Sequence, residues 1–263
     1  KGEEFNKLDL LDKLLPIYGE IFQRLAAQGV EWVQIDEPIL SLDLPQEWKS
    51  AFERAYNVLQ REPVKKLVAT YFAGLEDNLG LAAGLPVDGL HIDLVRAPEQ
   101  SPMILARLPA YKVLSLGVVN GRNVWRCDLE KVLETLKHAQ ERLGDRLWVA
   151  PSCSLLHSPV DLDREDQLDE ELKSWLAFAV QKSAEVAVLA QALNDPDSPK
   201  VKAALAQSRK VQESRANSPR IHKPEVQARL AAVTAADSQR KSPFAERIKL
   251  QRERLDLPLF PTT

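Results

Sequence analysis

Two adjacent carboxylates follow a short stretch that has the pattern of a β-strand. Residues 31–35 (EWVQI) alternate polar and apolar side chains and are rich in β-branched and aromatic residues, which favours a strand. Asp36 and Glu37 come next, and Pro38 then prevents a regular ladder from continuing. The sequence therefore predicts that Asp36 and Glu37 lie at the carboxyl end of a buried strand, where α/β proteins bind ligands. The alternative is that Asp36 only caps the turn that follows.

Four further candidate strands also end in polar side chains. These clusters are Thr70/Tyr71, His91/Asp93, Asn120/Arg122/Asn123 and Ser152/Cys153. The carboxyl ends of parallel strands in a barrel meet at one rim, so we expect the clusters to line a shared pocket. Each cluster could instead cap the helix that follows its strand.

The loop at 118–125 (VVNGRNVW) is the most specific of these stretches. Its Asn-Gly dipeptide predicts a tight turn that presents Arg122 next to Trp125. A planar guanidinium is suited to binding carboxylates, which makes this loop a candidate for recognising an acidic ligand. The alternative is structural, with Arg122 paired to Asp36 or Asp93 to hold the rim together.

Cys153 is a candidate nucleophile or metal ligand. Zinc needs about four Cys, His, Asp or Glu ligands, and only Cys153, His91, Asp93 and His157 are candidates. The other cysteine, Cys127, stands at no recognisable ligand spacing and is expected to be a packing residue. A serine nucleophile is disfavoured because the sequence has no GxSxG elbow. We therefore expect no metal and no catalytic triad.

Strand and helix patterns alternate along the chain and position these clusters. The predicted strands are 31–35, 66–72, 89–95, 112–119 and 146–151, and the predicted helices are 8–28, 45–61, 76–84, 99–108, 128–143 and 165–193, with more helix across 200–255 and an extended exit at 256–263. A strand–helix period of roughly 25–35 residues argues for parallel strands with covering helices, in an open doubly wound sheet or part of a (β/α)8 barrel. No GxGxxG or GxxxxGK[ST] follows a strand, which counts against nucleotide-binding open sheets.

Charge is unevenly distributed along the sequence. The formal net charge is −3, but residues 201–263 hold 13 Lys+Arg and 6 Asp+Glu, whereas residues 1–200 hold 22 and 32. The chain therefore has an acidic body and a basic arm. The basic residues of the arm are spread around its helices with almost no aromatic side chains, so we expect a solvated face or docking onto the body rather than nucleic-acid binding.

Cysteine usage and hydropathy bear on the compartment. Cys127 and Cys153 form no CxxC motif, which indicates a reducing environment without a disulfide framework. No run of about 18 apolar residues and no signal-peptide pattern are present. We expect a soluble, cytoplasmic chain that does not bind membranes.

Three motifs resemble the cobalamin-independent methionine synthases, and more narrowly their amino-terminal half. The motifs are residues 32–38 (WVQIDEP), 116–125 (LGVVNGRNVW) and 148–159 (WVAPSCSLLHSP). The resemblance runs from Lys1 to Thr263. It implies an enzyme that moves a methyl group from 5-methyltetrahydrofolate, with its polyglutamate tail, to the thiolate of homocysteine, giving methionine.

The resemblance also implies an architecture of two (β/α)8 barrels joined by a long helical linker. The carboxy-terminal barrel is expected to hold zinc through His, two Cys and Glu, and zinc lowers the thiol pKa to present a thiolate. The amino-terminal barrel is expected to have lost that metal, to help bind folate and to support the catalytic barrel.

Comparison between the two barrels of the family suggests what became of the metal site. Asp93 stands at the strand end that provides the zinc glutamate in the catalytic barrel, and Cys153 at one that provides a zinc cysteine. Thr70 and Phe72 stand nearest the places of the zinc His and the second Cys. Because two of four ligands are missing, the resemblance implies that this chain binds no cofactor and that zinc belongs to the rest of the full enzyme.

The resemblance covers only about strands four to eight of the first barrel and the linker. It predicts an α/β chain with five parallel strands of an incomplete (β/α)8 TIM-type barrel at 1–193, followed by a helical linker arm at 194–263. No catalytic residue is expected, and the candidate pocket residues are Asp36, Glu37, Asp93, Asn120, Arg122, Trp125 and Cys153. We expect a truncated gene product, or a piece that depends on missing sequence, that is inactive without the catalytic barrel.

Two other functions remain open at this point. The chain could be a non-catalytic scaffold that docks on a separately encoded catalytic barrel. It could also be a barrel enzyme of the uroporphyrinogen-decarboxylase type, although the NGRNVW and SCSLLHSP motifs argue against that reading.

Overall fold

A computed structural model describes residues 5–258 and 260 of the chain, which divides into two compact units, Lys1–Glu213 and Ser214–Thr263. The strands are β1 (Trp32–Asp36), β2 (Lys65–Ala69), β3 (Gly89–Asp93), β4 (Val113–Val119) and β5 (Leu147–Pro151). The helices are α1 (Leu11–Ala27), α2 (Gln46–Leu59), α3 (Leu79–Gly84), α4 (Gln100–Arg107), α5 (Leu129–Leu143), α6 (Glu170–Trp175), α7 (Ala179–Asn194), α8 (Pro199–Asn217), α9 (Pro224–Ala231) and α10 (Phe244–Leu255). None of the helices in this described part is long and apolar enough to cross a membrane.

The five strands form one parallel sheet in the order β1-β2-β3-β4-β5, which confirms the predicted α/β fold. One face of the sheet is apolar, and Val68, Leu90 and Leu114 lie beside one another on it with no exposed surface. They pack in one core with side chains of the helices, as expected for parallel strands that helices cover.

The other face of the sheet is polar and aromatic. His91 Nδ1 lies 2.9 Å from Ser115 Oγ on the neighbouring strand. The indoles of Trp32 on β1 and Trp148 on β5 touch edge to face, with ring centroids 4.7 Å apart. Because these are the two edge strands, the sheet must curve until its edges approach each other on this concave face.

The prediction of a buried strand before Asp36 was wrong. Within the described sheet β1 pairs only with β2, so it is an edge strand, and Gln34 and Asp36 are exposed. An alternating pattern shows that one face of a strand is buried but not whether a second strand lies beside it.

Two other predicted boundaries differ from the structure. The second and third strands end at Ala69 and Asp93, three and two residues earlier than predicted. The predicted helix 165–193 is divided into α6 and α7 by Leu176, Ala177 and Phe178. These residues are extended because Leu176 forms a β-bridge with Trp125, and the Ala177 N–H donates to Val124 O at 2.8 Å. A long-range pairing thus overrides a continuous helical pattern.

The helices of the second half of the chain differ in how they are stabilised. Asp128 caps α5 by accepting from the Lys131 N–H at 3.2 Å, as its position before the helical pattern predicts. Within the first unit α8 packs on the body, since Ser208 Oγ accepts from the Leu129 N–H at 3.3 Å. In the second unit α9 and α10 bury no side chain.

Only part of the predicted extended exit at 256–263 lies within the described residues. Asp256 adopts a left-handed conformation, φ 46°, and ends α10. Of the predicted extended exit, residues 259 and 261–263 lie outside the described residues. That the linker of the family begins at 194 stays a prediction.

Candidate functional site

The carboxyl ends of the five strands come together at one mouth. Asp36 follows β1, Tyr71 and Phe72 follow β2, Asp93 ends β3, the turn at 120–123 follows β4, and Ser152 and Cys153 follow β5. Ala69, Tyr71, Phe72 and Cys153 pack in one small cluster. Sequence reasoning therefore placed these strand ends correctly relative to one another, while their role in ligand binding stays a prediction.

Asp93 organises the centre of the mouth. Its side chain is 1% exposed, and both carboxylate oxygens accept backbone hydrogen bonds. Oδ2 accepts from the Phe72 N–H at 3.1 Å, and Oδ1 accepts from the N–H groups of Val95 and Arg96 at 2.9 Å each. A buried carboxylate is tolerated here because charge-assisted hydrogen bonds replace its hydration. These bonds hold the loops after β2 and β3 together.

Phe72 has a backbone conformation that is rare for a bulky residue. Its φ is 80°, in the left-handed region, where a side chain costs on the order of 1–2 kcal/mol. The hydrogen bond from its N–H to Asp93 helps to stabilise this conformation. Strained residues cluster at functional sites, so the position of Phe72 supports the assignment of a site here. Sequence reasoning considered Phe72 only as a lost zinc position and did not find its role in the mouth.

The Phe72 ring is an aromatic platform at the rim. Arg122 Cζ lies 4.8 Å from its centroid, a cation–π geometry. The rings of Tyr71 and His157 meet it edge to face, at 4.7 Å and 5.5 Å. Arg122 and His157 are exposed, so the rim presents a guanidinium and an imidazole to solvent.

The alternative prediction, in which Arg122 pairs with a rim carboxylate, differs from what the structure shows. In residues 5–258 and 260, Arg122 forms no ion pair with Asp36 or Asp93. The carbonyl oxygen of the Asn120 side chain accepts from the Arg122 N–H at 2.9 Å and so shapes the turn. The guanidinium lies instead over the Phe72 ring, while both oxygens of Asp93 accept backbone N–H groups.

Cys153 is buried beneath this rim. Its thiol is 6% exposed and burial raises its pKa, an effect that the hydrogen bond with Ser152 and the nearby charges of Arg122 and Arg96 oppose only in part. Gly121 is needed above it, since a Cβ there would lie 2.9 Å from Cys153 Sγ and 2.9 Å from Cys153 O. A thiol that stays protonated is a poor nucleophile and a poor metal ligand.

The adjacent carboxylates of Asp36 and Glu37 do not act as a pair. Asp36 accepts from Gln34 Nε2 at 2.7 Å and interacts with Tyr71, where burial together with this carboxylate raises the pKa of the Tyr71 hydroxyl to about 12. Glu37 accepts from the Tyr56 hydroxyl at 2.8 Å, at a groove of about 330 Å³ between α1 and α2. Successive residues of a strand point to opposite faces, which separates them.

Burial raises the pKa of Glu37, and the hydrogen bond from Tyr56 only partly offsets this. Tyr56 is 2% exposed, and burial beside the Glu37 carboxylate raises its hydroxyl pKa as well. Sequence reasoning missed Tyr56, although it lies on the apolar face of α2, where a phenol needs a partner.

Trp125 lies away from the mouth. Its ring packs against the cluster of Leu162, Leu176 and Phe178. Its carbonyl accepts from Lys182 Nζ at 3.0 Å, and Lys182, which is fully buried, also donates to Asn123 Oδ1 at 3.1 Å. The ammonium thereby holds the arginine-bearing loop. The signal that could have found Lys182 is a cation among the apolar positions of α7.

The residues of the mouth are not arranged like the four-ligand zinc site that the resemblance assigns to the catalytic barrel. Within the described residues no group of three or more His, Cys, Asp or Glu side chains could hold a metal ion. His91 Nδ1 lies 2.9 Å from Ser115 Oγ and Nε2 lies 3.3 Å from Ser152 O, so its ring is engaged within the sheet. Thr70 Oγ1 donates to His91 O at 2.8 Å. The rim of the mouth thus presents an aromatic ring together with a guanidinium and an imidazole.

Comparison with known proteins places this geometry among related folds. A family model described as "Cobalamin-independent synthase, N-terminal domain" matches residues 1–144. A crystal structure of a putative vitamin-B12-independent methionine synthase from Listeria monocytogenes is similar over 72% of this chain and 55% of its own, with 15% identity and a TM-score of 0.50. A B12-independent methionine synthase from Shewanella sp. W3-18-1, in complex with selenomethionine, is similar over 73% and 56%, with 17% identity and a TM-score of 0.51.

These two likenesses show the fold, an incomplete TIM-type barrel followed by a helical arm. The chain spans a little over half the length of both structures.

Proposed function

Because the chain belongs to the family of the cobalamin-independent synthases, within its amino-terminal domain, we propose that it is the folate-side, non-zinc part of a methionine synthase. The full enzyme transfers a methyl group from 5-methyltetrahydropteroyltriglutamate to homocysteine and forms methionine. In this proposal the zinc and the homocysteine belong to a carboxy-terminal catalytic barrel, which is the partner of this chain. The family membership gives no support to a decarboxylase-type barrel.

The observation that supports this proposal is the hydrogen bonding of the Asp93 carboxylate. Both of its oxygens accept backbone N–H groups, from Phe72 on one side and from Val95 and Arg96 on the other. A carboxylate used in this way holds loops together and offers little to a metal ion or a reacting proton. This supports the proposal that the mouth is a binding surface and that the chain has no turnover by itself.

The side chains at the rim support a folate ligand. The exposed guanidinium of Arg122 lies over an aromatic ring, and it is suited to the α- and γ-carboxylates of a polyglutamate tail. Of the other predicted pocket residues, Asp36 is exposed at the mouth, Cys153 is buried in it, and Asn120 shapes the turn. Glu37 lies at the separate groove.

A cytoplasmic location is part of the proposal. Cys127 and Cys153 are both free thiols, which is usual in reducing compartments.

The proposal is tested by binding of 5-methyltetrahydropteroyltriglutamate to the chain, measured by calorimetry. We expect Arg122→Ala to weaken binding by about tenfold or more, because a charge-assisted hydrogen bond contributes about 1.5–3 kcal/mol. Arg107→Ala, which removes an exposed arginine from the carboxyl end of α4, is the matched control and should leave the affinity unchanged. Equal effects of the two substitutions, or no binding to the unsubstituted chain, would contradict the folate-side role.

Metal analysis tests the other half of the proposal. We expect far less than one zinc per purified chain, and no methionine formed from the two substrates. Adding a separately produced zinc barrel of the same family distinguishes the enzymatic role from a scaffold. Methionine formation that depends on both polypeptides supports the first, and association without turnover supports the second. Stoichiometric zinc in the chain alone contradicts both.

A further inference from the structure

The buried ammonium of Lys182 joins helix α7 to the turn that carries Arg122. Lys182 Nζ donates to the side-chain oxygen of Asn123 at 3.1 Å and to the carbonyl of Trp125 at 3.0 Å, and no part of the lysine is exposed. The same Asn123 oxygen accepts from the Trp125 N–H at 3.2 Å, so the ammonium completes a local turn directly after Arg122. A buried ammonium is tolerated only where acceptors replace its hydration, and the place of Lys182 and the conformation of this segment therefore depend on each other.

Glu185 binds the same segment from a position further along α7. Its Oε1 accepts from the Cys127 N–H at 3.0 Å. Lys182 and Glu185 are three residues apart and so lie on one side of the helix. Burial lowers the pKa of Lys182 and raises the pKa of Glu185, and the charge of each residue opposes the shift of the other. The cation thus binds a carbonyl and the anion binds an N–H of one short stretch of backbone. We call Lys182 and Glu185 the α7 pair.

Lys182 differs in location from the other buried lysines. Among the described residues, Lys66, Lys112 and Lys182 each have no more than 1% of their surface exposed. Lys66 and Lys112 lie at the amino ends of β2 and β4, and their Nζ atoms donate to main-chain carbonyls there. Those contacts are at the opposite end of the strands from the mouth. Lys182 is the one buried lysine of the described chain whose acceptors adjoin a residue of the mouth.

We propose that the α7 pair positions Arg122, keeping its guanidinium over the Phe72 ring, and thereby sets the affinity of the mouth for a carboxylate ligand. The inference rests on the proposed function, since that ligand is the polyglutamate tail. On the other side of Arg122 its own N–H donates to Asn120 Oδ1 at 2.9 Å, so the backbone is held both before and after the arginine. A guanidinium that is held in place before the ligand arrives loses less conformational freedom on binding, which raises the affinity.

Nuclear magnetic resonance of the full chain tests the position of Arg122 without any ligand. Protons held over the face of an aromatic ring are shifted upfield, so side-chain resonances of Arg122 should lie upfield in the unsubstituted chain. Lys182→Met should remove most of this shift, because both acceptors lose the ammonium and the segment is released. Lys112→Met is the matched control, since it removes an equally buried ammonium that donates to the carbonyls of Ala83 and Leu85. It should lower the stability in urea and leave the Arg122 resonances in place.

Calorimetry with 5-methyltetrahydropteroyltriglutamate tests the effect on binding. We expect Lys182→Met to weaken binding about threefold or more in the chain that has Arg122, and less than about twofold in Arg122→Ala, because a residue that acts through another has little effect once that other residue is removed. Lys112→Met should leave the affinity unchanged. Glu185→Leu, which removes the acceptor of the Cys127 N–H, should act in the same direction as Lys182→Met. It carries both tests if circular dichroism shows that Lys182→Met does not fold.

Three results would overturn the proposal. They are an upfield shift of Arg122 that survives substitution of the α7 pair, a loss of affinity that is the same with and without Arg122, and a Lys112→Met variant that loses as much affinity as Lys182→Met. A chain that binds no triglutamate contradicts the folate-side role instead, and the Arg122 resonances then decide by themselves whether the α7 pair positions the guanidinium.

Discussion

Replacing Asp93 by alanine should destabilise the chain far more than removing an ordinary side-chain acceptor. The carboxylate accepts three backbone N–H groups, and Asp93→Ala leaves all three without it. The Phe72 N–H is fixed by a left-handed backbone conformation and would be left as an unpaired, part-buried donor, at a cost of about 1–3 kcal/mol. The N–H groups of Val95 and Arg96 share one acceptor oxygen and should lose about 1 kcal/mol each. We expect a total loss of about 3–5 kcal/mol in the free energy of unfolding.

Urea unfolding followed by circular dichroism measures this loss. The matched control is Asp88→Ala, because the Asp88 carboxylate accepts a single backbone hydrogen bond among the described residues, from the Lys66 N–H at 2.8 Å, and should cost about 1 kcal/mol. Asp93→Asn retains an acceptor for two of the three N–H groups and should fall between the two. Native-state hydrogen exchange should show faster exchange at residues 72, 95 and 96 in Asp93→Ala. If Asp93→Ala costs no more than Asp88→Ala, or exchange at those amides is unchanged, Asp93 does not organise the mouth as argued.

Two further predictions follow from buried titratable groups. Lys112 is fully buried, donates to the carbonyls of Ala83 and Leu85, and burial lowers its pKa from 10.5 to about 8. The folded chain therefore loses this proton before the unfolded chain does, so stability should rise between about pH 8 and pH 10.5, by roughly 2–3 kcal/mol relative to Lys112→Met, in urea titrations at each pH. A difference that is flat or falls with pH would contradict the sign. Burial raises the pKa of the Cys127 thiol to about 12 and also raises that of Cys153. Both should react with Ellman's reagent at pH 8 at least about tenfold more slowly in the native chain than in urea, and a native thiol that reacts as fast as the unfolded one would contradict the burial.

The arrangement of the sheet could be predicted from the sequence because its causes are local. Each strand is a short, largely apolar stretch, and at least one helix lies between each strand and the next, which favours the parallel connection. The capping role of Asp128 is equally local. In contrast, the edge position of β1 depends on which strands are absent beside it. The division between α6 and α7 depends on pairing of Leu176 with Trp125, 51 positions earlier, and no local pattern shows that pairing.

The candidate site was predictable in its location but not in its contacts. Strand ends converge because the strands are parallel, and this places Asp93 and Cys153 at one mouth. The separation of Asp36 from Glu37 was available from the two-residue period of a strand and was missed. The stacking of Arg122 on Phe72 could not be predicted, because it depends on the positive φ of Phe72, which no local pattern shows.

The contact between Trp32 and Trp148 gives a spectroscopic signal for the distance between the two edge strands of the sheet. Indoles held edge to face at this separation couple their electronic transitions, and the resulting exciton couplet in circular dichroism depends steeply on distance and angle. A molecule that inserted between the first and last strands would separate the two indole rings, and the exciton couplet would be lost. The chain thus carries an intrinsic pair of chromophores that reports, without any label, whether its first and last strands stay close together.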